Sequence, residues 1–132
     1  MKKIASLLLT ILLTVCLFTG CGDNAAPGSA ASGGTAGKIA YMTNASINDG
    51  GWNQACYGGM VEAAKQYNFE TAYTENIDKA DYVTTLSDYA NMGFDLIFVP
   101  GNEYTDAILE VAPNYPDVGF MVLNGDICGD NY

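Results

Sequence analysis

Apolar positions along this chain come in two periods. Short, nearly continuous runs stand at residues 38–43 (KIAYMT), 69–74 (FETAYT), 94–99 (FDLIFV) and 118–123 (VGFMVL). Each has the length and the β-branched or aromatic content of a strand, the last two so apolar that they suit a sheet buried on both faces. Between them the apolar residues recur at helical spacing. Cys56, Gly59, Met60, Ala63, Ala64 and Tyr67 form one such face. Tyr82, Leu86, Tyr89 and Ala90 form a second within residues 80–92, and Gly93 follows as a C-terminal cap. Ile108, Leu109 and Ala112 mark a third helix within residues 103–114, ended by Pro113 and Pro116. Strand alternating with helix predicts an α/β fold, a doubly wound parallel sheet with strand order 2-1-3-4 and right-handed crossovers.

Such sheets bind ligands at the carboxyl ends of their strands, where the strand order reverses. Here that point lies between the first and third strands, and three loops are predicted to converge on it. The first carries Asn44, Asp49, Gly50, Gly51, Trp52 and Asn53, with Asn48 or Asp49 as a helix cap. The second carries Gly101 and Asn102, with Glu103 and Tyr104 beyond, Glu103 suiting the helix dipole. The third, residues 124–130, carries Asn124, Asp126 and Asp130. Trp52 offers a flat π face and Asn53 both a donor and an acceptor, beside two glycines that let another group approach the backbone. The candidate ligand-binding residues are therefore Asn44, Asp49, Trp52, Asn53, Gly101, Asn102, Asn124 and Asp126.

The N-terminal part follows a different pattern. A basic start (Met1-Lys2-Lys3) leads into an apolar run to Phe18 that is shorter than a comfortable membrane span, then into Leu-Phe-Thr-Gly-Cys21. Residues 1–20 read as a secretory signal and Cys21 as a lipid-modified cysteine, which anchors a protein to a membrane without spanning it. Residues 21–37, rich in Gly, Ser and Ala, read as a flexible tether. Residues 38–132 are the expected folded part. Cys56 reads as a small core residue, and a Cys56–Cys128 disulfide is left open.

Charge narrows the function. The chain has a formal charge of −10, and loss of Lys2 and Lys3 would deepen it. A surface this acidic repels nucleic acid, so no nucleic-acid partner is expected. There is no histidine, hence no Ser-His-Asp or Cys-His pair, and no enzyme activity is expected. No phosphate-cradling GxxxxGK[ST] loop occurs, no spacing suits a metal, and no cofactor is implied. Carboxylates and amides at the rim favour a neutral solute with hydroxyl or amino groups, a nucleoside or a sugar.

Two blocks carry a family resemblance: Asp49, Trp52, Asn53 and Gln54 in DGGWNQ, and Gly93 to Ile97 in GFDLI with Tyr115-Pro116-Asp117 before the next strand. In these the chain resembles the basic membrane protein family of bacterial lipoproteins, substrate-binding components of ABC importers, several of which bind purine nucleosides. The resemblance implies the first lobe of a type I periplasmic-binding-protein fold. It implies that Trp52 stacks on a base, that Asn53 adds polar contacts, and that Asn124 or Asp126 meets sugar hydroxyls. It also implies ABC permease and ATPase partners and a lipid-anchored place on the extracytoplasmic face of the cell membrane. Measured against that family the second lobe is missing, so the chain is expected to be an N-terminal fragment whose last strand has no neighbour and whose open edge tends to associate.

Overall fold

A computed structural model describes residues 34–132. Four strands form one all-parallel sheet: β1 (Gly37–Met42), β2 (Phe69–Thr74), β3 (Leu96–Val99) and β4 (Gly119–Val122), in the order β2-β1-β3-β4. The sheet order is the one the alternating pattern predicts. Three α-helices make the connections: α1 (Trp52–Tyr67), α2 (Tyr82–Asn91) and α3 (Thr105–Val111). The expected signal, Cys21 and most of the expected tether lie outside the described residues. Within them the tether is shorter than expected. Gly37 already belongs to β1, and Ala36 donates its N–H to the Asn68 carbonyl at 2.8 Å.

Helix ends follow local chemistry. α1 closes on Asn68 at φ 59°, a left-handed conformation that Asn tolerates better than most residues. After α2, Gly93 takes φ 75° and the next N–H, of Phe94, reaches back to the Tyr89 carbonyl at 3.2 Å. The third predicted helix is divided. A 3₁₀ turn (Asn102–Tyr104) precedes α3 and another (Ala112–Asn114) follows it. Pro113, lacking an N–H, tightens that last turn.

The two faces of the sheet are unequally covered. On one, α2 and α3 bury Leu86, Ile97, Val99, Tyr104 and Ile108 in a large core. On the other, α1 alone packs Cys56 and Met60 against Ile39, Tyr41 and Phe98. The apolar face expected for α1 is therefore too wide. Cys56, Met60 and Ala64 are buried, whereas Gly59 and Ala63 are exposed and Tyr67 is 61% exposed. Where the second face lacks a helix, an apolar groove of about 360 Å³ opens between Ala55, Gly59 and Ala63 of α1 and Phe98, Met121 and Leu123 of the sheet.

The edge of β4 is not bare, contrary to expectation. The Phe120 N–H donates to the Asn131 carbonyl at 2.8 Å, and Ile127 and Tyr132 pack on the larger core. The Asn131 amide nitrogen lies 2.9–3.2 Å from the carbonyls of Ala112, Tyr115 and Val118 and fixes this segment. Cys56 is buried, Cys128 is exposed, and both thiols are free.

Candidate functional site

All four strands are parallel, so the loops after β1, β3 and β4 leave from the same edge of the sheet. Two hydrogen bonds join the first loop to the second. The Trp52 indole N–H donates to the Pro100 carbonyl at 2.7 Å, and the Asn44 N–H donates to the Tyr104 hydroxyl at 2.6 Å. Trp52 is nonetheless 55% exposed. Its edge is pinned across the point where strand order reverses, and much of its surface is open. Tyr104 is fully buried, with its ring 4.3 Å from that of Tyr82. Burial pushes its phenol far above the ordinary tyrosine value, so it stays protonated and available to the Asn44 N–H.

The first loop is held from within. The Asp49 carboxylate accepts the N–H groups of Gly51, Asn53 and Gln54 at 2.8–3.1 Å and the Asn53 amide nitrogen at 2.9 Å. Those bonds, the Asn53 side chain first, hold its pKa well below the usual carboxylate range. Asp49 thus serves the start of α1 as a cap, reaching N–H groups that have no partner inside the helix. Asn53 faces inward too. Its amide oxygen accepts from the Thr43 hydroxyl at 2.6 Å, with the Tyr41 hydroxyl at 3.4 Å. Burial pushes the Tyr41 phenol up to about 12. Further along the loop, the Ile47 N–H donates to the Glu75 carboxylate at 2.8 Å. Gly50, at φ 73°, has open space where a side chain would start.

In the second loop Pro100 and Gly101 are buried and Asn102 is exposed. The Glu103 carboxylate folds over the Gly101 α-carbon, where a side chain on Gly101 would stand. In the third loop Asn124, at φ 60°, and Asp126 are both exposed. The structure therefore brings Asn44, Asp49, Trp52, Asn53 and the Pro100–Gly101 turn into direct contact or its next neighbourhood. Asn124 and Asp126 share the edge without, among the described residues, a hydrogen bond to the other two loops. Thr43, Glu75, the Pro100 carbonyl and Tyr104 are contacts that the list of candidate ligand-binding residues does not contain. Thr43 carried one usable signal, a polar residue closing an apolar run. The other contacts join residues far apart in the chain.

No group of metal-ligating side chains occurs among the described residues. The rim offers an aromatic surface, exposed amides and carboxylates, and backbone groups at glycine-bearing turns. It is equipped to hold a polar, ring-bearing molecule by stacking and hydrogen bonds.

The fold and this rim define the class of ABC-type solute-binding proteins. A solved member, an ABC transporter solute-binding protein from Conexibacter woesei, is 29% identical and superposes with a TM-score of 0.58 over 64% of this chain and 28% of its own. A family model described as ABC transporter substrate-binding protein PnrA-like (Bmp) matches residues 36–131, and the chain belongs to that family. Curated relatives include the transcriptional activator protein med of Bacillus subtilis, 26% identical over 94% of this chain. Basic membrane protein A of Borreliella burgdorferi is 22% identical over 89%. The chain spans 38% of the first relative's length and 33% of the second's. The family is one of substrate-binding proteins rather than enzymes.

Proposed function

We propose that this chain supplies one jaw of an extracytoplasmic substrate-binding lipoprotein of an ABC importer, anchored through acylated Cys21, and that its ligand is a purine nucleoside. The observation that carries this reading is the half-exposed Trp52 indole, tied to Pro100 across the reversal point of the sheet. A base stacks on that indole. In this reading polar edges and sugar hydroxyls are met by Asn44, Gly101, Asn102, Asn124 and Asp126, while Asp49 and Asn53 hold the loop. Carboxylates near the rim disfavour a phosphate, so a nucleoside suits the site better than a nucleotide. A free sugar is the alternative ligand. It would use the same hydroxyl contacts with less need of the indole. The reading assigns no catalytic role to any residue.

The protein's single tryptophan makes the test direct. Inosine, guanosine and adenosine, with glucose and ribose alongside, are titrated against intrinsic fluorescence. A purine nucleoside should quench or shift the emission. By isothermal calorimetry Trp52→Ala should bind it roughly tenfold or more weakly, the worth of one lost stack. A response to sugars alone selects the alternative, and unaltered affinity in Trp52→Ala removes the stacking role.

The name of the Bacillus relative favours a second reading, in which ligand binding serves regulation rather than import. With a formal charge of −10 and neither arginine nor histidine, this chain is unsuited to gripping DNA itself. Regulation would then act through a protein partner, and a mobility-shift assay with this chain should show no retarded DNA.

A further inference from the structure

Thr43 is completely buried where the chain leaves β1. Its hydroxyl accepts the Ala45 N–H at 3.2 Å and has one proton to give, which goes to the Asn53 amide oxygen at 2.6 Å. That fixes the direction of the amide. The oxygen faces the sheet and the nitrogen faces Asp49, 2.9 Å away. An ionised carboxylate can only accept, so both neighbours demand the same orientation. Asp49 then gathers the N–H groups of Gly51, Asn53 and Gln54, the residues that bracket Trp52. A line of hydrogen bonds thus starts at a rigid, dry atom at the end of β1 and finishes at the turn carrying the indole.

We propose that Asn53 is a positioning residue and not a ligand contact: it transmits the fixed place of the Thr43 hydroxyl to the Asp49 loop, and so sets the attitude of Trp52 before any ligand arrives. The consequence for affinity rests on the proposed nucleoside reading; the positioning itself does not. A preset indole leaves less freedom to be lost on binding, which strengthens affinity without a new contact.

The test uses the full chain with Trp52 as its own reporter. Acrylamide quenching of the ligand-free protein and its affinity for inosine are compared in wild type, Thr43→Val, Thr43→Ser and Asn53→Asp. Valine keeps the volume of Thr43 and removes the donor, whereas serine keeps the donor and removes a methyl. Asn53→Asp sets a second carboxylate against Asp49. Thr43→Val and Asn53→Asp should make the ligand-free indole more quenchable and weaken inosine binding about fivefold, the worth of one hydrogen bond. Thr43→Ser should behave as wild type. Thr43→Ser as damaging as Thr43→Val would show a packing role and overturn the proposal. So would Asn53→Asp losing affinity with its ligand-free quenching unaltered, since Asn53 would then be a ligand contact. If quenching responds as expected while inosine binds no variant, wild type included, positioning stands and the nucleoside reading fails. Should Thr43→Val fail to fold, Asn53→Asp, at a half-exposed position, carries the test alone.

Discussion

At the scale of single residues, this rim is built by polar atoms that face inward. Tyr104 shows the principle most simply. Its side chain is wholly buried in the larger core, and its hydroxyl accepts the Asn44 N–H at 2.6 Å. Burial keeps the phenol neutral, and its oxygen still has a lone pair for that N–H. Deleting it leaves a partly buried N–H without its partner. Tyr104→Phe should therefore lower the unfolding free energy by about 1–2 kcal/mol in urea titrations, with the slope unaltered. Amide exchange should quicken at Asn44 more than in α1, since the bond lost belongs to the loop. Equal exchange at Asn44 in both proteins would mean that water replaces the hydroxyl without loss. Trp52 inverts the arrangement, with its polar edge tied to Pro100 and its apolar surface left in solvent. An indole held that way keeps apolar surface in water, which is unfavourable.

At the scale of elements, the strands and the first two helices were legible in the sequence from their periods, the strand order followed from their alternation, and the third helix was legible in place but not in its 3₁₀ ends. Ile97 and Val99 point to one face and Phe98 to the other, as a pleat requires. What a period cannot report is which part of an apolar stripe finds a partner. Gly59 and Ala63 fit the α1 pattern, yet they are exposed, with no second helix beside α1 among the described residues. The candidate site was legible as a set of converging loops, since topology alone determines where strand ends gather. The roles inside it were not. The sequence shows that Asp49 and Asn53 are polar and near a helix start, but their partners are settled by Thr43, a side chain from the sheet. Caps were easier to read, being local. Gly93 at φ 75° was recognisable as the stop of α2, and its conformation explains why only glycine rests there comfortably. Gly93→Ala has open space for the methyl group but the wrong backbone region. It should destabilise by about 1 kcal/mol, seen as a lower thermal midpoint with unchanged far-ultraviolet circular dichroism.

At the scale of the whole molecule, the sheet is finished on one face and part-finished on the other. α2 and α3 close one side over a continuous core, while among the described residues α1 covers Phe98 of β3 but leaves Met121 of β4 half exposed. Met121, half exposed at 50%, stands at the centre of that asymmetry. The groove beside it carries no charged side chain, on a chain whose formal charge is −10. Self-repulsion at that charge opposes association of copies, so the groove can stay wet and accessible in low salt. An apolar dye such as anilinonaphthalene sulfonate should then bind the native protein, weakly at low ionic strength because the dye is an anion. Added salt should strengthen the signal by screening, over a range in which the Debye length falls to about 10 Å. Met121→Gln should reduce dye fluorescence in proportion to the apolar surface it removes and leave thermal stability nearly unchanged, since a half-exposed side chain contributes little burial to lose. A loss of stability comparable to that of a buried methionine, about 2–5 kcal/mol, would mean that the face is covered in solution. Dye binding that survives Met121→Gln but disappears in Trp52→Ala would place the exposed apolar surface at the rim. Sedimentation across the same salt range separates the remaining possibility: if dye fluorescence falls as salt rises and mass doubles together with it, copies of the chain are covering the groove.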